Sequence, residues 1–259
     1  MRRFDFTSSS PWLGVSITAA TMQALMTQCE AIQQIKLRHP LLIEWRLDYW
    51  PVGQLNQLET LQRANRYLRA SFPNQPLLLT LRTRAEGGQL ALKAEDYWQQ
   101  LQFISAHLEA DLLDVMPAQL PPNISRTTLW QLHSGSLVLS HHNLQHSTYT
   151  DSVAAMQRLL AWARPSDVVK LAVAVHNDQE MLSLLNATLQ VSAHTPISLI
   201  TMGMGEPGQV SRSVGSVFGS VLSFGAVGIA SAPGQISLTK LDDLLIDHAE
   251  GGFNHETQS

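Results

Sequence analysis

The sequence contains a single cysteine, Cys29, among its 259 residues. A lone cysteine excludes an internal disulfide and every zinc site built from several cysteines, and it suits a reducing compartment. No histidine pair at helical spacing with an acidic partner points to a metal either. We therefore expect a cytoplasmic protein that uses no metal and no other cofactor.

Excess positive charge and long apolar runs are also missing. The formal net charge of −4 argues against a nucleic-acid partner. No apolar run approaches the roughly 20 residues needed to cross a bilayer, so no membrane association is expected. The two N-terminal arginines precede no apolar segment, which argues against a signal peptide. The polar residues after about 250 are expected to form a short disordered tail.

What the sequence does contain is a regular alternation of short apolar runs with helix-like stretches. The eight strand-like runs are residues 12–18, 41–49, 77–83, 110–116, 137–142, 168–175, 197–203 and 224–230. Such alternation favours a parallel sheet, and eight units in about 250 residues predict a closed (β/α)8 TIM barrel. We expect one domain over residues 1–259. A doubly wound open sheet is the alternative, although "SITAATM" after the first run is no glycine-rich dinucleotide turn.

The sixth run, "VVKLAVAV", places Lys170 inside a strand that should be buried on both faces. A fully buried lysine is rare because desolvating an ammonium group is costly. Successive strand side chains alternate between faces, so Lys170 shares one face with Ala172 and Ala174, and the larger residues share the other. We expect the larger side chains to meet the helices. The lysine should then point into the barrel.

The same alternation brings other polar side chains to the inner face. They are Ser16, Glu44, Arg46, Asp48, Thr80, Arg82, Asp114, Ser140, His142 and Thr201. Barrel interiors are usually filled by branched apolar residues, and chemistry is placed at the carboxyl ends of the strands. The polar set therefore predicts an active site. As alternatives, Glu44, Arg46 and Asp48 could form a structural ion-pair cluster, and His142 could be a hydrogen-bonded core histidine.

This set of residues supports imine chemistry. A lysine in an apolar pocket among cations has its ammonium form disfavoured, and the free amine can attack a carbonyl. The imine acidifies the neighbouring carbon, so a base is required, and His142 is the candidate. Glu86, just after the third run, could orient that histidine. The arginines suited to a substrate carboxylate are Arg46, Arg82 and Arg212.

Six motifs, in order along the chain, resemble those of type I 3-dehydroquinate dehydratase, an enzyme family of the shikimate pathway. They are "EWRLD" (44–48), "TLRTRAEGG" (80–88), "SHH" (140–142), "DVVKLA" (167–172), "GQVSR" (208–212) and "ASAPGQIS" (230–237). The resemblance covers strands two to eight. It implies a hydro-lyase of aromatic amino acid biosynthesis that converts 3-dehydroquinate to 3-dehydroshikimate and water.

The resemblance also implies a role for each matching residue. Lys170 would form a Schiff base with the ring ketone, His142 would move the protons of a syn elimination, and Glu86 would orient His142. The residues expected to bind substrate are Glu44 and Arg82 at the ring hydroxyls with Arg46 in support, and Arg212, Ser231 and Gln235 at the carboxylate. The last two would belong to a lid after strand eight. We expect a homodimer, in either a biosynthetic or a quinate-degrading role.

The sequence departs from the family pattern at four places. Asn143 stands where an acidic residue is usual, Leu144 replaces an aromatic residue, and Met116 replaces an acidic one. The N-terminal segment is short for a hairpin that closes the barrel floor. Two other functions remain open: a Schiff-base aldolase, which would need a phosphate site, and an inactive metabolite-sensing domain. The retention of Lys170 and His142 argues against the second.

Overall fold

The apolar runs form eight parallel strands, and a helix or turn follows each of them. The computed structural model describes residue 6, residues 10–228 and residues 232–246. The strands are β1 (Trp12–Ile17), β2 (Leu41–Arg46), β3 (Leu77–Thr80), β4 (Leu112–Val115), β5 (Ser136–Asn143), β6 (Val168–Ala174), β7 (Ser198–Met204) and β8 (Leu222–Gly225). The tail expected after residue 250 and most of the N-terminal segment, expected to be short for a hairpin, lie outside the described residues.

The α-helices lie between the strands and after the last one. They are α1 (Met22–Gln33), α2 (Leu58–Ser71), α3 (Ala94–His107), α4 (Arg126–Trp130), α5 (Tyr149–Leu160), α6 (Asp178–Ser192), α7 (Gln209–Val214) and α8 (Leu238–Leu244). The short α4 follows the two prolines that interrupt the sequence there. Within the described ranges, no helix is both long and apolar enough to cross a membrane.

The sheet closes on itself with one narrow seam. Its strand order is β7-β6-β5-β4-β3-β2-β1-β8. The seam between β8 and β7 is joined by the Leu199–Ser220 bridge and by a 2.8 Å hydrogen bond from the Val221 amide to the Leu199 carbonyl. The predicted (β/α)8 barrel is therefore confirmed, and the open-sheet alternative is wrong. The last strand begins at Leu222 rather than at residue 224, because its pairing with Trp12 of β1 sets its start.

Two apolar layers hold the barrel together. The outward-facing strand residues, such as Trp45, Leu79 and Leu171, pack with the helices in one cluster. A second cluster fills the barrel floor and contains Leu42, Leu78, Leu112, Val138, Val168, Ile200 and Leu222. Each large apolar side chain removed from water contributes about 1.5–3 kcal/mol. The polar interior above the floor therefore need not stabilise the fold.

The polar layer begins two residues after the apolar floor in five successive strands. Its members are Glu44, Thr80, Asp114, Ser140 and Lys170, and all of them are buried. The predicted inward direction of these side chains is confirmed. The prediction for Thr201 is wrong, because Thr188 of α6 donates a 2.9 Å hydrogen bond to its hydroxyl on the outer face. In β7 the inner face carries Ile200 and two methionines instead.

Strand β5 extends beyond the end of its neighbour β4. The two strands pair from Leu112–Ser136 to Val115–Leu139, so residues 140–143 have no partner in β4. At the opposite end of the barrel, Asp242 of α8 accepts hydrogen bonds from the backbone amides of Arg38 and His39. The last described helix is thereby attached to the start of β2.

Candidate active site

Lys170 projects from β6 into the barrel, as predicted. Its Nζ atom lies 3.4 Å from Oε1 of Glu44 and 4.4 Å from the centroid of the Phe224 ring. Burial lowers the pKa of the Lys170 amine; the charge of Arg82 acts in the same direction, and the charge of Glu44 opposes it. The amine therefore loses its proton more readily than a lysine in water, as a nucleophile requires.

Glu44 is the counter-ion of this lysine. Its carboxylate also accepts hydrogen bonds from Ser16 at 2.5 Å and from Thr80 at 2.8 Å. Burial would raise the pKa of Glu44, but the positive charges of Lys170 and the nearby arginines outweigh burial and hold the pKa well below its usual range. Glu44 is thus an ionised acceptor. The direct contact with Lys170 was not foreseen from the sequence.

His142 projects inward from the end of β5. Its Nδ1 atom lies 3.2 Å from Oε2 of Glu86, and its Nε2 atom contacts the Arg82 guanidinium. A guanidinium can only donate, so Nε2 is the acceptor and the ring proton lies on Nδ1, facing Glu86. Burial lowers the pKa of His142 well below its ordinary value, and Arg82 adds to this effect. The result is a neutral imidazole with its lone pair toward the barrel interior.

Glu86 reaches His142 from a single 3₁₀ turn, Arg84–Glu86, that follows β3. Gly87 then takes a positive φ of 83°, and a Cβ on Gly88 would lie 2.1 Å from the Arg82 carbonyl oxygen. Only glycines permit this tight reversal. Burial would raise the pKa of Glu86, but hydrogen bonds from His141 and His142 outweigh it and hold the pKa at about 2. The predicted contact between Glu86 and His142 is present.

Two of the predicted arginines already have carboxylate partners. Arg46 donates two hydrogen bonds to Asp48, at 2.7 and 2.8 Å. Asp48 itself lies in a 3₁₀ turn, because β2 ends at Arg46, and so its prediction as an inward-facing strand residue is wrong. Arg82 lies 3.2 Å from Asp114, whose pKa is raised by burial. The Arg46–Asp48 pair is therefore part of the structural ion-pair cluster considered above as an alternative, and Arg82–Asp114 is an ion pair that was not expected.

Arg212 differs from the other two arginines. It is buried on α7 and donates to the backbone carbonyls of Phe224 at 3.2 Å and Pro233 at 3.4 Å. Its Nε atom is buried without a hydrogen-bond partner, and among the described residues no carboxylate forms an ion pair with it. Burial lowers its pKa to about 10. An incoming anion would supply the missing partner.

The cavity at the carboxyl ends of the strands brings most of the predicted residues together. Its empty volume is about 360 Å3. The predicted residues in its wall are Glu44, Arg46, Arg82, His142, Lys170, Arg212 and Gln235. Glu86 lies behind His142, and Ser231 lies outside the described residues. The wall also contains Phe224, Met202 and Met204, which were missed because apolar side chains carry no chemical signal in a sequence.

The departures from the family pattern lie away from this wall. Asn143 forms a local turn, in which its side chain accepts a 2.9 Å hydrogen bond from the Gln145 amide. Leu144 is 48% exposed, and Met116 is fully buried in the outer apolar cluster. None of the three is a wall residue of the described cavity.

Comparison with known proteins gives one consistent family. The family model for type I 3-dehydroquinase matches residues 13–250. A 3-dehydroquinate dehydratase from Lactiplantibacillus plantarum is 32% identical over 249 residues, which cover 95% of this chain and 96% of the relative. The enzyme of the same name from Escherichia coli O9:H4 (strain HS) is 31% identical over 245 residues, covering 92% and 93%.

Solved structures agree with the sequence comparison. The type I 3-dehydroquinate dehydratase from Clostridium difficile, determined with covalently modified comenic acid, aligns with a TM-score of 0.80 and 26% identity over 92% of this chain and 91% of that one. The Enterococcus faecalis 3-dehydroquinate dehydratase aligns with a TM-score of 0.79 and 27% identity, covering 92% and 94%. With the family model spanning nearly the whole barrel, the chain belongs to the type I 3-dehydroquinase family.

Proposed function

We propose that this chain converts 3-dehydroquinate to 3-dehydroshikimate and water through a Schiff base on Lys170. The observation that carries the proposal is the position of this lysine. Its amine is buried, its pKa is lowered, and it shares one cavity wall with the neutral imidazole of His142. Membership of the type I 3-dehydroquinase family supports the choice of substrate. With this substrate, the protein is a hydro-lyase of the shikimate pathway, which serves aromatic amino acid biosynthesis.

The reaction begins when the free amine of Lys170 attacks the ring ketone; the resulting carbinolamine takes up a proton from water and loses its hydroxyl as water, which leaves a protonated imine. Nε2 of His142 then removes a proton from the carbon next to the imine carbon. The electron pair of that carbon–hydrogen bond forms an enamine. The enamine expels the neighbouring hydroxyl, which takes the proton back from His142 and leaves as water. Hydrolysis of the product imine then restores Lys170. Glu86 stabilises the imidazolium that forms between the two proton transfers.

Substrate binding requires Arg82 to move. Its guanidinium contacts Nε2 of His142, the atom assigned to proton removal. We expect a ring hydroxyl to draw Arg82 away, with Glu44 and Arg46 completing the hydroxyl site. Arg212 and Gln235 would bind the carboxylate together with Ser231. The lid containing Gln235 would exclude water from the imine.

We also propose that residues 1–259 form one domain, since the described strands and helices all belong to one barrel. A cytoplasmic location is supported by the buried, unpaired Cys29. A homodimer is the expected assembly. Sedimentation equilibrium over a range of concentrations would test it.

The direct test is incubation with 3-dehydroquinate while enone absorbance is followed. Sodium borohydride added during turnover should inactivate the protein and leave one ligand-sized mass increment on the peptide that contains Lys170. Lys170→Ala should remain folded but show neither turnover nor adduct. Lys240→Ala is the matched control, because Lys240 is exposed on α8 and should change neither result. Active protein insensitive to borohydride would exclude the Schiff-base route.

A further inference from the structure

Glu86 contacts two adjacent histidines of β5, and only one of them belongs to the proposed mechanism. The ring of His142 faces the cavity, whereas His141 projects outward from the barrel. Nδ1 of His141 nevertheless lies 3.2 Å from Oε1 of Glu86, opposite the oxygen that meets His142. We propose that His141 is a positioning residue that holds Glu86, and through Glu86 the catalytic base, in place. This inference rests on the proposed function.

The end of β4 makes the double contact possible. Beyond the last β4–β5 pair, Val115–Leu139, the backbone of β5 is paired with no strand on that side in the part of the chain that the structure describes. Oε2 of Glu86 fills this place and accepts a 2.9 Å hydrogen bond from the backbone amide of His142. The carboxylate therefore lies beside the strand edge, where it can reach side chains on both faces. Adjacent strand side chains point to opposite faces, so a carboxylate that contacts both of them must lie at the edge of the strand.

His141 is needed to complete the hydrogen bonds of this carboxylate. The Glu86 side chain is only 3% exposed. Both hydrogen bonds from His142 go to Oε2. Among the described residues, His141 is the one hydrogen-bond partner of Oε1. Without it, a buried carboxylate oxygen would lack a donor, and the carboxylate plane could rotate away from the His142 ring.

The other side of the His141 ring reaches solvent through a separate outer cavity. That cavity lies between β5 and α5, and Arg158 and Trp162 also line it. The His141 side chain is 33% exposed, so it connects the buried Glu86 to water. Charged groups also face the two histidines. Arg158 shares the wall of the outer cavity with His141, and the charges of Arg82 and Lys170 act on His142 in the inner cavity.

The proposal predicts an effect on the proton affinity of His142. A hydrogen bond from His141 draws charge from Glu86, and that charge would otherwise stabilise a protonated His142. Loss of this donor should therefore raise the pKa of His142. Because the base must be neutral to act, the acid limb of the kcat profile should move to higher pH.

The experiment compares three variants across pH. His141→Phe keeps a ring but removes the donor, while His141→Asn keeps a donor where Nδ1 stood. His146→Phe is the matched control, because exposed His146 also pairs with a carboxylate, Glu180 at 3.0 Å, outside the cavity wall. His141→Phe should lower kcat several-fold, change KM less than twofold, and move the acid limb up by roughly 0.5 pH unit. In His141→Asn the acid limb of the kcat profile should return to its wild-type pH, and in His146→Phe it should not move.

A second readout separates this inference from the proposed function. Imidazole resonances of His142, followed by NMR without substrate, should titrate at higher pH in His141→Phe than in the wild type. An unshifted titration and an unshifted kcat limb would overturn the role of His141, even if kcat fell. Wild-type protein inactive on 3-dehydroquinate would instead overturn the proposed function, and the NMR titration would still decide whether His141 acts on His142.

Discussion

The amine of Lys170 and the carboxylate of Glu44 lie 3.4 Å apart inside the barrel, and both side chains are almost fully buried. Attraction between buried charges offsets the cost of removing them from water only when further hydrogen bonds complete the pair. Ser16 and Thr80 supply those hydrogen bonds to Glu44. The pair therefore explains how a charged lysine can occupy an otherwise apolar strand. It also limits how far burial can lower the pKa of the amine.

Glu44→Gln should make the amine of Lys170 reactive at lower pH. The carboxylate opposes the lowering of the Lys170 pKa by burial, so its neutral replacement should let that pKa fall further. The rate at which a small amine-directed reagent labels Lys170, followed by peptide mass spectrometry, should reach half its maximum at lower pH than in the wild type. Labelling of exposed Lys240 serves as the internal control and should not move. A shift toward higher pH would contradict the assigned effect of Glu44.

Arg212→Met should weaken substrate binding without unfolding the protein. Arg212 has no carboxylate partner among the described residues, and its burial already disfavours its charge. Losing it should leave the substrate carboxylate unpaired, at a cost of about 2–5 kcal/mol in binding. KM should therefore rise by more than tenfold while the melting temperature stays the same or increases.

Arg46→Met is the matched comparison for that variant, since both arginines line the same cavity. Arg46 neutralises Asp48, so its loss would leave a buried carboxylate without its cation, at a cost of about 3–5 kcal/mol in stability. The melting temperature should fall clearly. Equal losses of stability in the two variants would contradict the interpretation that Arg212 lacks a carboxylate partner because it is kept for the substrate.

His142→Ala should slow the chemical steps while Lys170 still captures the substrate. General acid–base catalysis typically contributes about 10²–10⁴ in rate, so kcat should fall within that range. Borohydride should then trap an adduct with the mass of reduced 3-dehydroquinate rather than of the dehydrated product. An increase in KM with kcat unchanged would show that His142 binds substrate and does not transfer protons.

Glu86→Gln should lower stability at neutral pH and much less at low pH. The pKa of Glu86 is about 2 in the folded protein and 4.5 ordinarily. A lowered folded pKa means that the stabilisation is complete above about pH 4.5 and is lost as pH falls toward 2. The difference in unfolding free energy between wild type and variant should be on the order of 3 kcal/mol at pH 7. Urea titrations from pH 3 to pH 7 would measure it, and a difference independent of pH would contradict the assignment.

The sequence was sufficient to predict the barrel and the inward direction of Lys170. The reason is that the alternation of side chains between the two faces of a strand can be read from neighbouring residues. The face with the larger apolar side chains is the one that packs against the helices, so Lys170 lies on the other face. The same rule failed in β7, where methionines line the cavity and Thr201 bonds to α6. Methionine is as bulky as the residues that usually face helices, so size alone misassigned this strand.

The relations across the barrel could not be predicted in this way. The contact between Glu44 and Lys170 joins two strands, and that between Arg82 and His142 joins the segment after β3 to the end of β5. Both separations depend on strand register and tilt. The start of β8 at Leu222 was also missed, because it is set by pairing with β1 rather than by a local pattern. Motifs identify the residues of the site. Only the assembled barrel determines which charges neutralise each other.

The seam of the barrel has a consequence for protein synthesis. Strand β1 lies between β2 and β8, so the first strand to leave the ribosome must wait for the last one before its second edge is covered. Until then β1 and β7 both present open edges, which can pair with other chains. The attachment of Asp242 to Arg38 and His39 then secures the late-made helix against the early-made strand. Nascent chains that stall before β8 should therefore depend on chaperones, and they should aggregate when chaperones are withheld.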